Sequence, residues 1–560
     1  MLSIPHETPV AWAVGILAAL ALLALPSAAE AKPSVKGKKL IASGWHMPPA
    51  DYVREHIAEM EQLPFDGIII GGFYPFWPKL RGQQAALEQF VANIRATPFR
   101  RFTDNFMSVE SGNDGSFDWF DEACCADLVA NWRTLADAAR RAGLKGVKFD
   151  PECYEGPSPF QYENCKQKET KTPEEVAARV EEVGARITRA INEVYPDITI
   201  LLYFGPSVAG YPRNLEGWCG LIPAFVDGLI AEAKPGFVVV DGYETAYGYR
   251  HARQYAEGRK QMKEIARKDS RHPDRFARHV QAGFAVWPDN WNGAPRHQRL
   301  SFNADDPLGN YYTPDELAHA THNALAYSDR YVWVWTESIN FWKGWVWVYP
   351  AGDTPVEKPI PPGFLEALVR ARQSHVPAPP WRSLMGVVRT YTAKDLGPVD
   401  DETVFGDLWE AHEPLLDLPL EWRFRLDPED RGVRRGWARA ELDEAGWTPI
   451  QIREVWDVQN YSGYTGHAWY RVRFRAPRLP AGKRLYLAFG AVDESAWVYV
   501  NGRQAGKHDV GPSGFDKRFL IDVTKHLKPN AENVVAVRVL NTIGVGGIWR
   551  GVKLIAHTEE

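Results

Sequence analysis

The sequence predicts an α/β domain followed by an all-β domain: a (β/α)8 (TIM) barrel and then a jelly-roll sandwich. Three observations predict it. Between residues 40 and 347, short apolar runs alternate eight times with amphipathic stretches. From residue 419 onward the pattern changes to period-two alternation broken by turn pairs such as Asn501-Gly502. A chain of 560 residues is also too long for one hydrophobic core. The expected boundaries are a leader over 1–31, the barrel over 32–350, a linker and barrel-packing segment over 351–418, and the sandwich over 419–560.

In order, the barrel strands are expected at 40–45, 67–73, 102–109, 146–150, 198–204, 237–241, 279–287 and 331–336. Helices are expected at 51–62, 83–96, 126–142, 173–194, 222–233, 251–267 and 314–327, with an eighth near 362–374. Two helix starts are well marked. Thr172-Pro173-Glu174-Glu175 and Thr313-Pro314-Asp315-Glu316 each put Thr at the N-cap, Pro at the first helical position and Glu three residues past the cap. A doubly wound sheet is the rival, but its Gly-rich first turn is missing. A proline-rich segment, 349–381, reads as the linker. Sandwich strands are expected at 470–474, 484–489, 496–500 and 534–539.

Composition narrows the function. A net charge of −6 gives no overall field for nucleic acid or acidic membranes. The Arg- and Lys-rich stretch 250–278 reads as a solvated helix face. Residues 10–25 form an uninterrupted apolar run too short to span a bilayer comfortably. Ala29-Glu30-Ala31 follows as a small-x-small cleavage site, so a secreted or periplasmic location is expected. The segment before the run holds Glu7 and neither Lys nor Arg, so an uncleaved anchor is the alternative. The five cysteines match no zinc spacing, and Cys153 with Cys165 would clip one loop as a disulfide. Neither metal nor cofactor is expected, since no phosphate-binding Gly-Lys loop, serine elbow or nucleotide fingerprint appears. Tryptophan is unusually frequent at 22 residues, many of them near expected strand ends, where a sugar-binding cleft has more use for them than a core.

Residues 436–553 carry a run of motifs in order: Asp443-Glu444-Ala445-Gly446-Trp447, Gly466-His467-Ala468-Trp469-Tyr470-Arg471 and Gly490-Ala491-Val492-Asp493. Val498-Tyr499-Val500-Asn501-Gly502, Phe515, Asp522-Val523-Thr524 and Gly546-Gly547-Ile548-Trp549-Arg550 follow. This stretch resembles the galactose-binding-like jelly-roll domain of family 2 glycoside hydrolases. The resemblance implies a carbohydrate-active chain. It also implies a domain that often braces the barrel, with Trp469, Tyr470 and Trp549 in its core or seam.

Glycoside hydrolysis commonly uses two carboxyl groups, which in a barrel sit at the C-terminal ends of strands. The fourth strand reads Gly146-Val147-Lys148-Phe149-Asp150-Pro151-Glu152, placing Lys148, Asp150 and Glu152 on one face. Charges pointing into a barrel need partners or a function; a Lys148–Asp150 ion pair is the purely structural alternative. The Asp-x-Glu ending resembles the fourth strand of family 18 chitinases, which implies Glu152 as acid assisted by Asp150. Lys148 stands where that motif has an earlier acidic residue. The Lys-aromatic-Asp beginning is similar to the fourth strand of α-galactosidases and their clan, which implies Asp150 as nucleophile and an acid/base from the sixth strand. Asp241 and Glu244 supply that strand's end, Glu337 the eighth's, and Glu110 follows the third. Family 2 barrels carry Asn-Glu on strand four and a further Glu on strand seven. This chain has Pro151-Glu152 and Trp287-Pro288-Asp289, so family 2 roles are not carried over.

Around the mouth, Trp45, His46, Tyr74, Trp77, Lys148, Tyr203, Tyr243, Trp287, Trp291 and Trp335 are candidate sugar-binding residues. The expectation is an exported glycosidase, a hydrolase cleaving O-glycosidic bonds of an oligo- or polysaccharide, of retaining stereochemistry. Its partners are carbohydrate, with neither nucleic acid nor membrane beyond the anchor. The alternative is a non-catalytic glycan-binding protein with a degenerate barrel.

Overall fold

The computed structural model describes residues 33–210, 212–290, 302–348, 354–388, 390–480 and 482–558. The expected leader and Trp291 lie outside them.

Eight parallel strands close a barrel: β1 (Lys39–Gly44), β2 (Gly67–Phe73), β3 (Phe106–Glu110), β4 (Gly146–Asp150), β5 (Thr199–Leu202), β6 (Val238–Asp241), β7 and β8 (Tyr331–Thr336). Strand β7 is interrupted at Gly283 into Val280–Ala282, which pairs with β6, and Phe284–Val286, which pairs with β8. Closure comes from β1, which pairs with β2 on one side and along its full length with β8 on the other. Helices α1 (Ala50–Met60), α2 (Gln84–Ala96), α3 (Glu122–Arg141), α4 (Pro173–Val194) and α5 (Ile222–Ala231) alternate with β1 to β6. Both α6 (Ala252–Lys260) and α7 (Pro273–His279) lie between β6 and β7, α8 (Pro314–Tyr327) lies between β7 and β8, and α9 (Phe364–Arg370) follows β8.

Strand alternation makes two apolar layers. Val147 and Phe149 face the helices in the large core that also holds Trp132, Ile187 and Phe225. Ile41, Ile69, Phe106, Leu201, Val240, Tyr331 and Trp333 fill the barrel interior. Burying each of these side chains contributes roughly 1.5–3 kcal/mol. At the N-terminal mouth, buried Asp104 accepts from the Tyr331 hydroxyl (2.8 Å) and Arg330 (3.0 Å), closing the end away from the loops where chemistry is built. Both expected capping boxes form, with Glu175 and Glu316 bonding back to Thr172 and Thr313.

Several segments differ from the expectations. Strand β3 starts at Phe106, not 102, because Asp104 and Asn105 are engaged with the β2 entry, where Asn105 Oδ1 accepts the Ile68 amide (3.1 Å). Helix α3 starts at Glu122, because Asp121 caps it by accepting from the Ala123 and Cys124 amides. All five cysteines are free, so the expected Cys153–Cys165 clip is absent. Cys153 Sγ lies on the Glu155 carbonyl (3.7 Å) and Cys165 Sγ on Gln167 (3.6 Å). That loop is pinned instead by Trp119 Nε1 on the Pro159 carbonyl (2.7 Å) and Asn113 on the Pro157 carbonyl (3.0 Å).

The sandwich begins inside the expected linker, since His412–Asp417 pairs with Val552–His557. Its four-stranded sheet adds Leu485–Phe489 and Phe519–Asp522. The facing six-stranded sheet runs Thr448–Gln451, Glu421–Asp427, Gly466–Arg475, Glu532–Asn541, Ser495–Val500 and Arg503–His508. Trp422, Phe424, Tyr470, Leu487, Phe489, Val537 and Leu554 meet between the sheets. The expected assignment of Tyr470 to the core is met, and Trp469 and Trp549 are buried in flanking clusters.

Helices α4 and α5 approach closely because Gly184 and Gly228 face each other's backbones. A Cβ on Gly228 would lie 2.1 Å from the Glu181 carbonyl oxygen. Gly228→Ala is therefore expected to destabilise the chain by about 2 kcal/mol, read by chemical denaturation; an unchanged midpoint would mean the helices are not in this contact.

Candidate active site

The C-terminal end of β4 follows the strand period. Val147 and Phe149 point to the helices, while Lys148 and Asp150 point into the barrel and are buried. The next residues leave the strand in a tight turn, in which Asp150 Oδ1 accepts the Glu152 amide (2.9 Å). Lys148 Nζ sits 2.8 and 3.0 Å from the two oxygens of Glu110 on β3 and 3.9 Å from Asp150. It also lies 4.2 Å above the Tyr203 ring. The structural alternative of a simple Lys148–Asp150 pair is thus modified, because Glu110 is the nearer partner and Asp150 keeps an oxygen for other work. Ser108 on the same face of β3 donates to Glu110 (2.6 Å).

Beyond β6 the alternation breaks. Tyr243 adopts a left-handed backbone (φ 44°, ψ 63°). This turns the Tyr243 ring outward against Phe284, Tyr249 and Gly258. Glu244 then points toward the β4 carboxylates. Burial is the first cause that pushes its proton affinity up, to about 9; the Asp150 and Glu152 charges add to this, and Lys148 and the Tyr247 hydroxyl oppose it. Asp150 is also raised, by burial first, with Glu110 and Glu152 adding and Lys148 opposing. Asp150, Glu152 and Glu244 therefore form one interacting group from two strands. Asp150 and Glu244 are both raised, but not equally: Glu244 holds its proton at neutral pH, while Asp150, 3.9 Å from the Lys148 ammonium, is raised less and is the first of the two to ionise.

Asp241 is placed differently. It is fully buried, with Oδ2 accepting the Ser207 amide (3.0 Å) and Oδ1 the Tyr243 amide (3.3 Å). It ties the loops after β5 and β6 together, and so positions Glu244 rather than facing the mouth. Glu337 is buried at the end of β8 and accepts from Trp335 Nε1 (3.2 Å). Its backbone is fixed by Asp289, whose Oδ2 accepts the amides of Glu337 (3.0 Å), Ser338 (2.6 Å) and Ile339 (2.9 Å). Burial raises Asp289 to about 6 against the pull of those amides.

Three aromatic expectations are corrected. Tyr203 has no free face, because Trp333 stacks on it at 3.7 Å and 3° while Lys148 covers the other side. Its hydroxyl is hydrogen-bonded to Ser43. Tyr243 packs outward for the backbone reason above. Trp287 is buried against Tyr247 at 5.0 Å. Lys148 is likewise beneath the site and already partnered. Others stand at the rim. Trp45 is 57% exposed. Tyr74 and Trp77 stack on each other at 4.2 Å, with Arg81 over Trp77 at 4.1 Å. His46 and Trp335 are half-buried.

Sequence reasoning missed Tyr247, Asp289, and the tryptophans at 345 and 347. Tyr247 is raised by burial and by Glu244, Asp150 and Glu337, so it lies among the carboxylates; its signal was a place three residues after Glu244 in a short turn. Among the described residues no group of three or more His, Cys, Asp or Glu is arranged to hold a metal ion, and no helix is long and apolar enough to cross a membrane.

A carboxyl group raised on folding stabilises fully below its unfolded range, and that contribution is lost as pH rises through the folded value. For Glu244 the window runs from the ordinary carboxylate range to about 9. Glu244→Gln is therefore expected to melt with wild type near pH 4 and above it at pH 8, by roughly 2 °C or more. Identical melting at both pH values in calorimetry would mean that Glu244 is solvated.

Comparison with known proteins gives a match over residues 433–543 to the family described as the β-galactosidase second all-beta domain. A β-glucuronidase of Paenibacillus borealis is 30% identical over 131 residues, 23% of this chain and 21% of its own length. A β-galactosidase of Bacteroides ovatus is 30% identical over 145 residues, 24% of this chain and 16% of its own. A solved β-glucuronidase from Ruminococcus gnavus in complex with D-glucuronic acid overlaps 27% of this chain and 30% of its own, at 22% identity and a TM-score of 0.23. The chain thus spans about a fifth of the first of these curated relatives. The C-terminal sandwich resembles the sugar-binding jelly-roll domain of family 2 glycoside hydrolases, and it follows a (β/α)8 barrel.

Proposed function

We propose that the chain is an exported retaining glycoside hydrolase acting on an oligo- or polysaccharide, with Asp150 as nucleophile and Glu244 as acid/base. The observation that carries this reading is the pair of interacting carboxyl groups from β4 and β6, both raised by burial, with Glu244 raised further than Asp150. Glu244, protonated at neutral pH, donates to the glycosidic oxygen as the bond to the anomeric carbon breaks. Asp150, held by the Glu152 amide and the Lys148 ammonium, attacks that carbon and forms a glycosyl ester. Glu244, now ionised, takes a proton from water, which attacks the anomeric carbon as its bond to the Asp150 oxygen breaks, releasing the sugar and restoring the Asp150 carboxylate. Glu110 holds Lys148 in place, and Glu152, hydrogen-bonded to Tyr154, lies beside the pair. The match of residues 433–543 to the β-galactosidase second all-beta domain supports a carbohydrate substrate. The apolar run 10–25 with Ala29-Glu30-Ala31 supports export.

The test is reducing-end release across a broad oligosaccharide panel. Wild type is expected to turn over at least one glycan, and Asp150→Asn and Glu244→Gln to lose roughly 10²–10⁴-fold in kcat, with Glu152→Gln losing less. Abolition by Glu152→Gln with Glu244→Gln active would move the acid to Glu152. Binding without turnover on every glycan would overturn the hydrolase reading in favour of a glycan-binding protein.

The same reading fixes the pH profile. Activity is expected to fall on the alkaline side as Glu244 loses its proton, through about 9, and on the acid side as Asp150 becomes protonated above the ordinary carboxylate range. An alkaline limb below neutrality that persists in Glu244→Gln would assign it to another group.

A further inference from the structure

The strand after β8 carries an aromatic surface with no role in the chemistry above. Trp345 and Trp347 occupy alternate positions of Trp345–Val348, the middle strand of a small antiparallel sheet with Ile339–Asn340 and Val356–Pro359. They therefore share one face, and their rings lie near parallel at 5.3 Å and 23°. Both are half-buried, so indole surface remains open. The base of this surface is His46, which follows β1. Its ring meets Trp345 edge-on at 5.0 Å and Trp347 at 4.4 Å. Burial lowers the proton affinity of the imidazole, and the ring donates to the Glu337 backbone carbonyl, which opposes that shift. Its Nε2 is buried with no hydrogen-bond partner among the described residues.

Position relates this surface to the carboxylates. In the barrel β8 neighbours β1, and Glu337, at the end of β8, links the two through its carbonyl to His46 and through its carboxylate to Trp335. Trp335 meets the Tyr203 ring at 6.0 Å, and Tyr203 carries Lys148 on its face. The surface is therefore an outward continuation of the mouth along the β8–β1 side. Flat indoles present a π-face to the C–H face of a pyranose, and a buried nitrogen without a partner calls for a hydroxyl. A pyranose supplies both, an apolar C–H face and hydroxyls at its edge.

We propose that His46, Trp345 and Trp347 form a distal saccharide-binding subsite, which makes the substrate a chain longer than a disaccharide. The proposal deepens the glycosidase reading and rests on it for the chemistry, but it is tested by binding. The probe is an array of defined oligosaccharides from di- to hexasaccharides, presented to full-length Glu244→Gln so that turnover does not consume them. Calorimetry on the glycans retained is then repeated with Trp345→Ala/Trp347→Ala in that background. The ratio of hexasaccharide to disaccharide affinity is expected to fall roughly tenfold. Trp345→Phe/Trp347→Phe, which keeps two aromatic faces, is expected to retain most of the ratio and guards against misfolding of the alanine variant. A ratio unchanged in both variants would overturn the subsite. So would a concentration-dependent dimer abolished by the alanine changes, which would mean that the indoles seat a second copy of the chain. Length-dependent binding by a wild type without turnover would leave the subsite standing and the hydrolase reading fallen; no binding to any glycan would remove both.

Discussion

The site depends on one ammonium buried among carboxylates. Lys148 lies between Glu110, Asp150 and the Tyr203 ring, and Trp333 closes the far side of that ring. Carboxylates drawn from β3, β4 and β6 toward one dry mouth repel each other, and desolvation raises their cost further. The lysine offsets part of that cost for Glu110 and Asp150. It acts on Glu244 too, but there burial and the neighbouring carboxylates win and the group keeps its proton. One arrangement thus holds together a charged group and a neutral one, the division of labour that acid/base chemistry requires.

The surrounding framework keeps those groups from relaxing. Asp241 and Asp289 are buried carboxyl groups that bond to backbone amides, Asp241 through both oxygens between the loops after β5 and β6, Asp289 through Oδ2 beneath the segment 337–339. These amides favour the ionised carboxyl, against the burial that raises both groups. The sandwich adds a second brace. The Leu384 amide donates to the Ser462 carbonyl (2.9 Å), Trp381 stacks near Tyr461, and Arg253 on α6 approaches Asp430 (4.0 Å). The last contact reaches the helix that packs behind Tyr243.

Much of this was legible in the chain because it is local. The alternation of Lys148 and Asp150 follows from strand geometry, and the Thr-Pro-x-Glu boxes follow from helix capping, whereas Glu152 lies past the strand end in a turn. The choice between Asp241 and Glu244 was not legible, because it turns on one left-handed residue, Tyr243, which no spacing announces. The aromatic list failed where contacts are long-range: Tyr203 is covered by Trp333, 130 positions away, and Trp287 by Tyr247. Trp345 and Trp347 escaped notice because they lie between the last barrel strand and a proline-rich stretch, where the period that marks elements gives out. The disulfide expectation counted cysteines without the hydrogen bonds that already hold their loop.

The central claim is that Glu244 and Asp150 share one electrostatic environment in which Glu244 carries the proton. The direct measurement is a ¹³C NMR titration of the Glu244 side-chain carboxyl, assigned by its loss in Glu244→Gln, in wild type and in Asp150→Asn. The wild-type midpoint is expected near 9, moving down when the Asp150 charge is removed. A midpoint in the ordinary carboxylate range, unmoved by Asp150→Asn, would contradict it.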